Sequence, residues 1–225
     1  MRVAVYYAPR QDDPLFTDST TWLGRDPERG APAQQPDIPG IVEVTAEPRV
    51  YGFHATLKPP MRLQQGRQWY DVLEAAAEIA DSVAPFDLPR LAVSDVHGFL
   101  ALRETCPCAP LQALADACVA RMDHLRAPLT DDEIARRRRA NLTQQQDDML
   151  LRWGYPYVFE TWFFHMTLTR RLNASEKQTF MAAAETYFAR AIGVARQVSD
   201  ICLFVQPVPG EPFIIKKRLP LRGRA

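Results

Sequence analysis

Residues Arg2 to Ala8 read as a strand of alternating face. From Asp26 to Gly40 no period survives: five Gly or Pro breakers follow Pro27, and a long loop is predicted. A helical stripe then appears between Gln68 and Val83, carried by Val72, Leu73, Ala76, Ile79, Ala80 and Val83. Leu91–Val96 and Phe99–Arg103 read as two strands turning at His97 and Gly98. Leu111, Leu114, Ala115, Cys118, Val119 and Met122 form a second helical stripe within Pro110–Arg126.

Two capping boxes follow, Thr130 with Glu133 and Thr143 with Gln146, each pairing a hydroxyl cap with a side chain that reaches back to it. They predict two short helices, the second stopped by Gly154. Thr161–Thr169 is strand-like, Asn173 opens a helix to about Ala191, and Ile201–Gln206 and Phe213–Leu219 read as closing strands. The order predicts a mixed α/β (α+β) chain. A strand, helix, strand-pair module occurs twice, from near Tyr51 and from near Thr161, which suggests two similar lobes. Residues 1–225 are therefore expected to form one compact bilobed domain, with a helical insert at about 128–156.

Composition narrows the classes. Hydrophobic residues are 47% and charged residues 24%, too apolar for intrinsic disorder. The 27 Lys+Arg balance the 27 Asp+Glu, which argues against a dedicated duplex-DNA binder and leaves room only for a local basic patch. The N-terminus lacks the regions of a signal peptide, and no uncharged apolar run has the roughly 18 residues of a membrane helix, so a cytoplasmic protein with no membrane partner is expected. Cys106, Cys108, Cys118 and Cys202 lack paired C-x-x-C spacing and predict reduced thiols rather than a zinc or disulfide framework.

The candidate chemistry lies in a repeated pentapeptide, Phe53-His54-Ala55-Thr56-Leu57 and Phe164-His165-Met166-Thr167-Leu168. A given histidine meets the H-x-T-L pattern by chance about 0.5% of the time. Two of the four histidines meeting it is a strong signal. On a strand, His54 and Thr56 share one face, as do His165 and Thr167, while Ala55, Leu57, Met166 and Leu168 turn to the other. Two imidazoles about a phosphorus centre can divide general base and general acid work between them, with the threonine hydroxyls holding the non-bridging oxygens. No cofactor is called for, and no Asp/Glu/His cluster stands at metal-ligand spacing.

These motifs resemble those of the two-histidine (2H) phosphoesterase superfamily, with its paired H-x-[ST]-x signatures. The resemblance extends through Trp22-Leu23-Gly24-Arg25-Asp26, Arg49 to Pro60, Leu151 to Glu160 and Phe204-Val205-Gln206-Pro207, to the branch associated with phosphonate metabolism. It implies a duplicated fold, with two antiparallel or mixed sheets facing a central cleft and helices outside. It implies His54 and His165 as the acid/base pair and Thr56 and Thr167 as phosphate contacts. The implied reaction is opening of a small ribose cyclic phosphate, with 5-phospho-ribosyl 1,2-cyclic phosphate as first choice. Processing or ligation of RNA ends and nucleoside 2',3'-cyclic phosphates is the enzymatic alternative, and a non-catalytic sensor of a phosphorylated metabolite is the other.

Three further residues are candidate substrate contacts. Lys58 continues the parity of His54 and Thr56, and Arg171 that of His165 and Thr167, so either could hold a second phosphate; Arg170 is the reserve. Tyr51 has the wrong parity for a straight strand, but Gly52 can break the alternation. Tyr155 and Tyr157 are expected in packing more than in the cleft. His97 and His124 are expected to be structural or solvated. Arg136 to Arg139 should point around most of a helix axis and favour a solvated helix over a nucleic-acid patch.

Overall fold

The computed structural model describes residues 1–224. The first half runs β1 (Arg2–Tyr7), α1 (Pro14–Leu23), β2 (Arg25–Asp26), β3 (Ala31–Pro32), α2 (Ile41–Val44), α3 (Ala46–Tyr51), β4 (Ala55–Met61), α4 (Trp69–Ser82), β5 (Phe86–Leu88), β6 (Leu91–Val96) and β7 (Phe99–Glu104). The second runs α5 (Ala109–Met122), α6 (Asp131–Arg138), α7 (Gln144–Trp153), β8 (Met166–Arg171), α8 (Ala174–Ile192), β9 (Arg196–Val198), β10 (Asp200–Gln206) and β11 (Ile214–Pro220).

Seven strands form an antiparallel sheet in the order β11-β10-β1-β4-β8-β7-β6. Its centre is a seam: β4 and β8 pair only at Ala55 and Met166, so strands on either side can splay apart. The mixed α/β class expected of the chain is observed. The two modules are interleaved across the seam. The strand pair that follows β4 lies beside β8, and the pair that follows β8 lies on the β4 side, beyond β1. The short strands β5 and β9, which occupy matching places in the two modules, pair with each other through Phe86 and Val198.

Local chemistry sets the helix ends. Asn173 accepts from the Glu176 amide at 2.9 Å while the Glu176 carboxylate accepts from the Asn173 amide at 3.0 Å, fixing the start of α8. Both anticipated capping boxes form, at Thr130 with Glu133 and Thr143 with Gln146. Gly154 ends α7 with φ 77° and donates to the Leu150 carbonyl at 2.8 Å. The stripes of α4, α5 and α8 enter one large core with Leu57, Met166 and Leu168 from the sheet. A smaller cluster of Ala4, Tyr6, Ala8, Cys202, Phe204 and Phe213 covers the other face of β1 and β10. Among the described residues no helix is long and apolar enough to cross a membrane.

Three expectations are corrected. The loop at 26–40 contains half of a hairpin, β2–β3, closed where Asp26 Oδ1 accepts from the Glu28 and Arg29 amides. Helices α1, α2 and α3 stand where no helix was expected; α1 opens on Asp13, whose carboxylate accepts from the Leu15 amide at 2.8 Å, and closes on Gly24 at φ 75°. The strand expected at Thr161–Thr169 begins only at Met166, because Phe159–Thr161 is a 3-10 turn with Phe159 at φ 51°.

Candidate active site

Both motif histidines sit one residue before their strands, His54 before β4 and His165 before β8. The seam brings them together. With Ala55 opposite Met166 in an antiparallel pair, the register sets His54 beside Thr167 and Thr56 beside His165. Ala55 and Met166 point into the core, so their neighbours point the other way. A pseudo-twofold axis through this one pair thus gathers four polar side chains around it.

The two rings are oriented by the same device. His54 Nδ1 is 2.8 Å from the Gly52 carbonyl and His165 Nδ1 is 3.2 Å from the Phe163 carbonyl, each two residues upstream. A carbonyl only accepts, so Nδ1 carries the proton and Nε2 is left as the basic nitrogen. Gly52 presents its carbonyl from φ 76° and ψ 168°, and a Cβ there would lie 2.8 Å from Pro27 Cβ, so the position requires glycine. Each ring is also stacked, His54 on Tyr6 at 3.7 Å between centroids and His165 on Phe163 at 4.7 Å.

Burial, with a smaller push from His165, drives the His54 imidazole down to about 4. His165 is lowered as well, by burial and then by the nearby Arg103 guanidinium. Both rings are therefore neutral near pH 7 until an anion enters.

Two chambers open on the histidines. The inner one, about 290 Å³, is lined by His54, Thr56, His165 and Thr167, with Tyr6, Tyr51, Tyr155, Pro59 and Pro60, and by Arg2, Arg136 and Arg137. Among the described residues no carboxylate stands in its wall. The outer one, about 280 Å³, shares Tyr51, His54 and Thr167 and adds Glu47, Thr169, Arg170 and Arg171. Together they form a cleft of the size that holds a small metabolite. A larger groove of about 620 Å³ elsewhere contains neither histidine, and its arginines are paired with its own carboxylates, Asp13 with Arg196 at 2.9 Å and Arg10 with Asp200 at 3.6 Å.

The sequence candidates divide accordingly. His54, Thr56, His165 and Thr167 meet in the inner chamber. Tyr51 stands between the chambers, its ring stacked on Phe213 at 5.4 Å and 6.3 Å from His54. Arg171 lines the outer chamber, its guanidinium donating to the His97 carbonyl, beside Arg170, which is paired with Glu176 at 2.8 Å.

Lys58 is not in the cleft. The β1–β4 register slips between Thr56 and Lys58, so Leu57 and Lys58 both face the core. The ammonium is 3.1 Å from the Val119 carbonyl and 3.7 Å from Asp123, and burial lowers it to about 8. His97 and His124 are exposed and outside both chambers. The expectation of a wholly solvated arginine run is also corrected. Arg138 pairs with Asp147 at 2.7 Å on the outside, but Arg136 and Arg137 face the inner chamber with Tyr155. Adjacent helical residues are about 100° apart, so two can share a side that four cannot. Arg2, at the start of β1, carried no signal of its role.

Residues 56–214 match the model of a family described as "Protein of unknown function (DUF1045)". Two curated relatives are named ribose 1,5-bisphosphate phosphokinase PhnN. The one from Janthinobacterium sp. (strain Marseille) is 39% identical over 232 residues, covering 99% of this chain and 51% of the relative. The one from Laribacter hongkongensis (strain HLHK9) is 33% identical over 216 residues, covering 95% and 50%. The chain thus spans about half the length of the curated relatives it matches. Among solved structures it is similar to TT0787 of Thermus thermophilus, with TM-score 0.49 and 16% identity over 100% of both chains. A structure described as a phosphoesterase is similar at TM-score 0.44 and 13% identity over 98% of both.

Proposed function

The chain belongs to the family described as Protein of unknown function (DUF1045), and we propose that it is a 2H-type cyclic phosphodiesterase that opens a small ribose cyclic phosphate. The observation that carries this reading is the square of His54, Thr167, Thr56 and His165 about the Ala55–Met166 pair. A phosphorus centre bound between the imidazoles would have one on either side, the arrangement that in-line displacement uses. Neutral His54 takes the proton from water as its oxygen bonds to phosphorus. Protonated His165 gives its proton to the ribose oxygen as the other P–O bond breaks. Charge on His165 further lowers the proton affinity of His54, which supports this division, with His54 the neutral partner when His165 holds the proton. The hydroxyls of Thr56 and Thr167 hold the non-bridging oxygens as charge builds.

The relatives' name supports a substrate class. If 5-phospho-ribosyl 1,2-cyclic phosphate is opened at the bond to the 2-oxygen, the product is ribose 1,5-bisphosphate, the compound in that name. The kinase step itself fits the half of each relative that this chain does not match. The chain has no Gly-x-x-x-x-Gly-Lys-[Ser/Thr] phosphate loop: its lysines, 58, 177, 216 and 217, follow Leu57, Glu176, Ile215 and Lys216.

The test is phosphorus NMR on 5-phospho-ribosyl 1,2-cyclic phosphate and on a nucleoside 2',3'-cyclic phosphate, with excess chelator, for wild type, His54→Ala and His165→Ala. Opening of the first that is lost in both folded variants is the expected result. Opening of the nucleotide alone would move the chain to RNA or nucleotide processing. Wild-type rates in both variants, or binding without turnover, would overturn the catalytic reading.

A further inference from the structure

We propose that Arg2, Arg136 and Arg137 form a subsite for a second, non-reacting phosphate, so that the cleft selects ligands bearing a terminal phosphomonoester. The inference rests on the cleft being a phosphate site and assigns what its inner chamber recognises.

Three observations converge. First, the inner chamber concentrates positive charge: among the described residues three guanidiniums line it, no carboxylate does, and none of the three makes an ion pair, Glu133 in the adjoining cavity acting on Arg137 only from a distance. Arg2 is only anchored, its Nε donating to Gln206 at 2.7 Å and its guanidinium lying 5.3 Å from the Phe213 ring centre. Second, Arg137 Nη1 is buried with no hydrogen-bond partner. An unpartnered buried guanidinium nitrogen is costly, and an anion in the chamber would satisfy it. Burial and then the neighbouring Arg136 weaken its hold on the proton, against smaller opposing pulls from Glu133 and Tyr155, and an anion in the chamber would strengthen it.

Third, α6 has no residue in the core. It is held on the molecule by polar contacts, its capping box, Arg62 with Glu133 at 2.9 Å and Arg138 with Asp147 at 2.7 Å. Glu133, the nearest acid on the helix, is occupied by Arg62, whose hydrogen bond drives its carboxyl down to about 2, and by the Thr130 amide. A helix that adds nothing to the core and presents two unpaired arginines to a cavity is accounted for by what those arginines bind. The outer chamber differs: Arg170 is taken by Glu176, Arg171 by the His97 carbonyl, and Glu47 stands in the wall. Planar guanidiniums suit the oxygens of a phosphomonoester dianion, which bears more charge than the cyclic diester.

The experiment compares wild type, Arg137→Gln and Arg136→Gln in two assays. Calorimetry measures binding of ribose 5-phosphate against ribose, and kinetics measures the kcat/KM ratio for ribose 1,2-cyclic phosphate with and without the 5-phosphate. Expected are ribose 5-phosphate binding that weakens at least tenfold in both variants and a kcat/KM ratio that falls at least tenfold. Arg136 is exposed, so its variant keeps the test open if Arg137→Gln does not fold. Should wild type open neither ester, the reaction proposed above fails while calorimetry still decides the subsite. Wild type that binds ribose 5-phosphate no tighter than ribose, or folded variants that keep wild-type affinity, would overturn it.

Discussion

His54→Asn tests whether the fold holds the His54 ring neutral. Asparagine can keep a donor to the Gly52 carbonyl while removing the titrating ring. In the folded protein His54 is pushed from 6.5 down to about 4, whereas in the unfolded chain it protonates near its ordinary value. The neutral form is thus favoured by folding. Stability is fully present above about pH 6.5 and is lost as pH falls toward 4, because the unfolded chain binds a proton that the folded one refuses. At pH 5 the protonated-to-neutral ratio would be about 30 in the unfolded state and about 0.1 in the folded state, a difference of roughly 2 kcal/mol. At pH 7.5 the same calculation gives nearly zero. The assay is urea unfolding of both proteins at the two pH values. Wild type is expected to lose about 2 kcal/mol more than His54→Asn between them. Equal losses would refute the burial argument. Inorganic phosphate at pH 5 should narrow the gap, since an anion beside the ring restores its proton affinity. For the same reason the pH optimum of kcat should lie above that of kcat/KM, which reports the free enzyme.

Gly52→Ala places a Cβ 2.8 Å from Pro27 Cβ at a φ of 76°, so it should cost more than tenfold in turnover, alongside a fall in Tm; wild-type kinetics would show that the Gly52 carbonyl does not orient His54. Lys58→Met should leave kcat/KM within about twofold and, because Asp123 keeps Arg126 at 2.8 Å, be at least as stable as wild type at pH 7.5. Folding disfavours the Lys58 ammonium, so the advantage should shrink by about 2 kcal/mol between pH 7.5 and pH 10 in urea unfolding; a tenfold activity loss would return Lys58 to the cleft. With an activated aryl leaving group, His165→Ala should recover most of its loss and His54→Ala little, as rates on aryl and alkyl phosphodiesters would show.

The parts of the site that repeat were legible and the parts that do not were hidden. H-x-T-L recurs, and its two-residue parity placed Ala55, Leu57, Met166 and Leu168 in the core. The same parity failed at Lys58 because a bulge turns two successive residues inward, and nothing in an alternating pattern marks one extra residue. Helix α1 was masked by its Thr, Ser and Asp positions, although Asp13-Pro14 and Gly24 punctuate its ends and Leu15, Ser19, Trp22 and Leu23 are helically spaced. The aromatic run before His165 has strand-like composition, yet it bridges the modules instead: Trp162 Nε1 donates to the Thr56 carbonyl at 2.8 Å. Arg2 and Arg137 meet only through tertiary structure, 135 positions apart along the chain as 137 − 2.

Duplication alone would give a site that cannot tell one end of its ligand from the other. The Ala55–Met166 pair sets two imidazoles and two hydroxyls in near-equivalent places, each ring donating to a carbonyl two residues back. What breaks the equivalence comes from outside the repeated pentapeptides. Tyr6 of β1 stacks on His54, and Phe163 with Arg103 surrounds His165. Arg136 and Arg137 come from α6, which has no counterpart in the other module, and Arg2 from β1, which lies between β10 and β4. On the proposed reaction these unrepeated residues fix the direction in which a doubly phosphorylated ribose lies. Its direction decides which oxygen faces His165 as leaving group and which face His54 opens to water. The symmetric core supplies the acid and base, and the asymmetric additions decide which bond they cut.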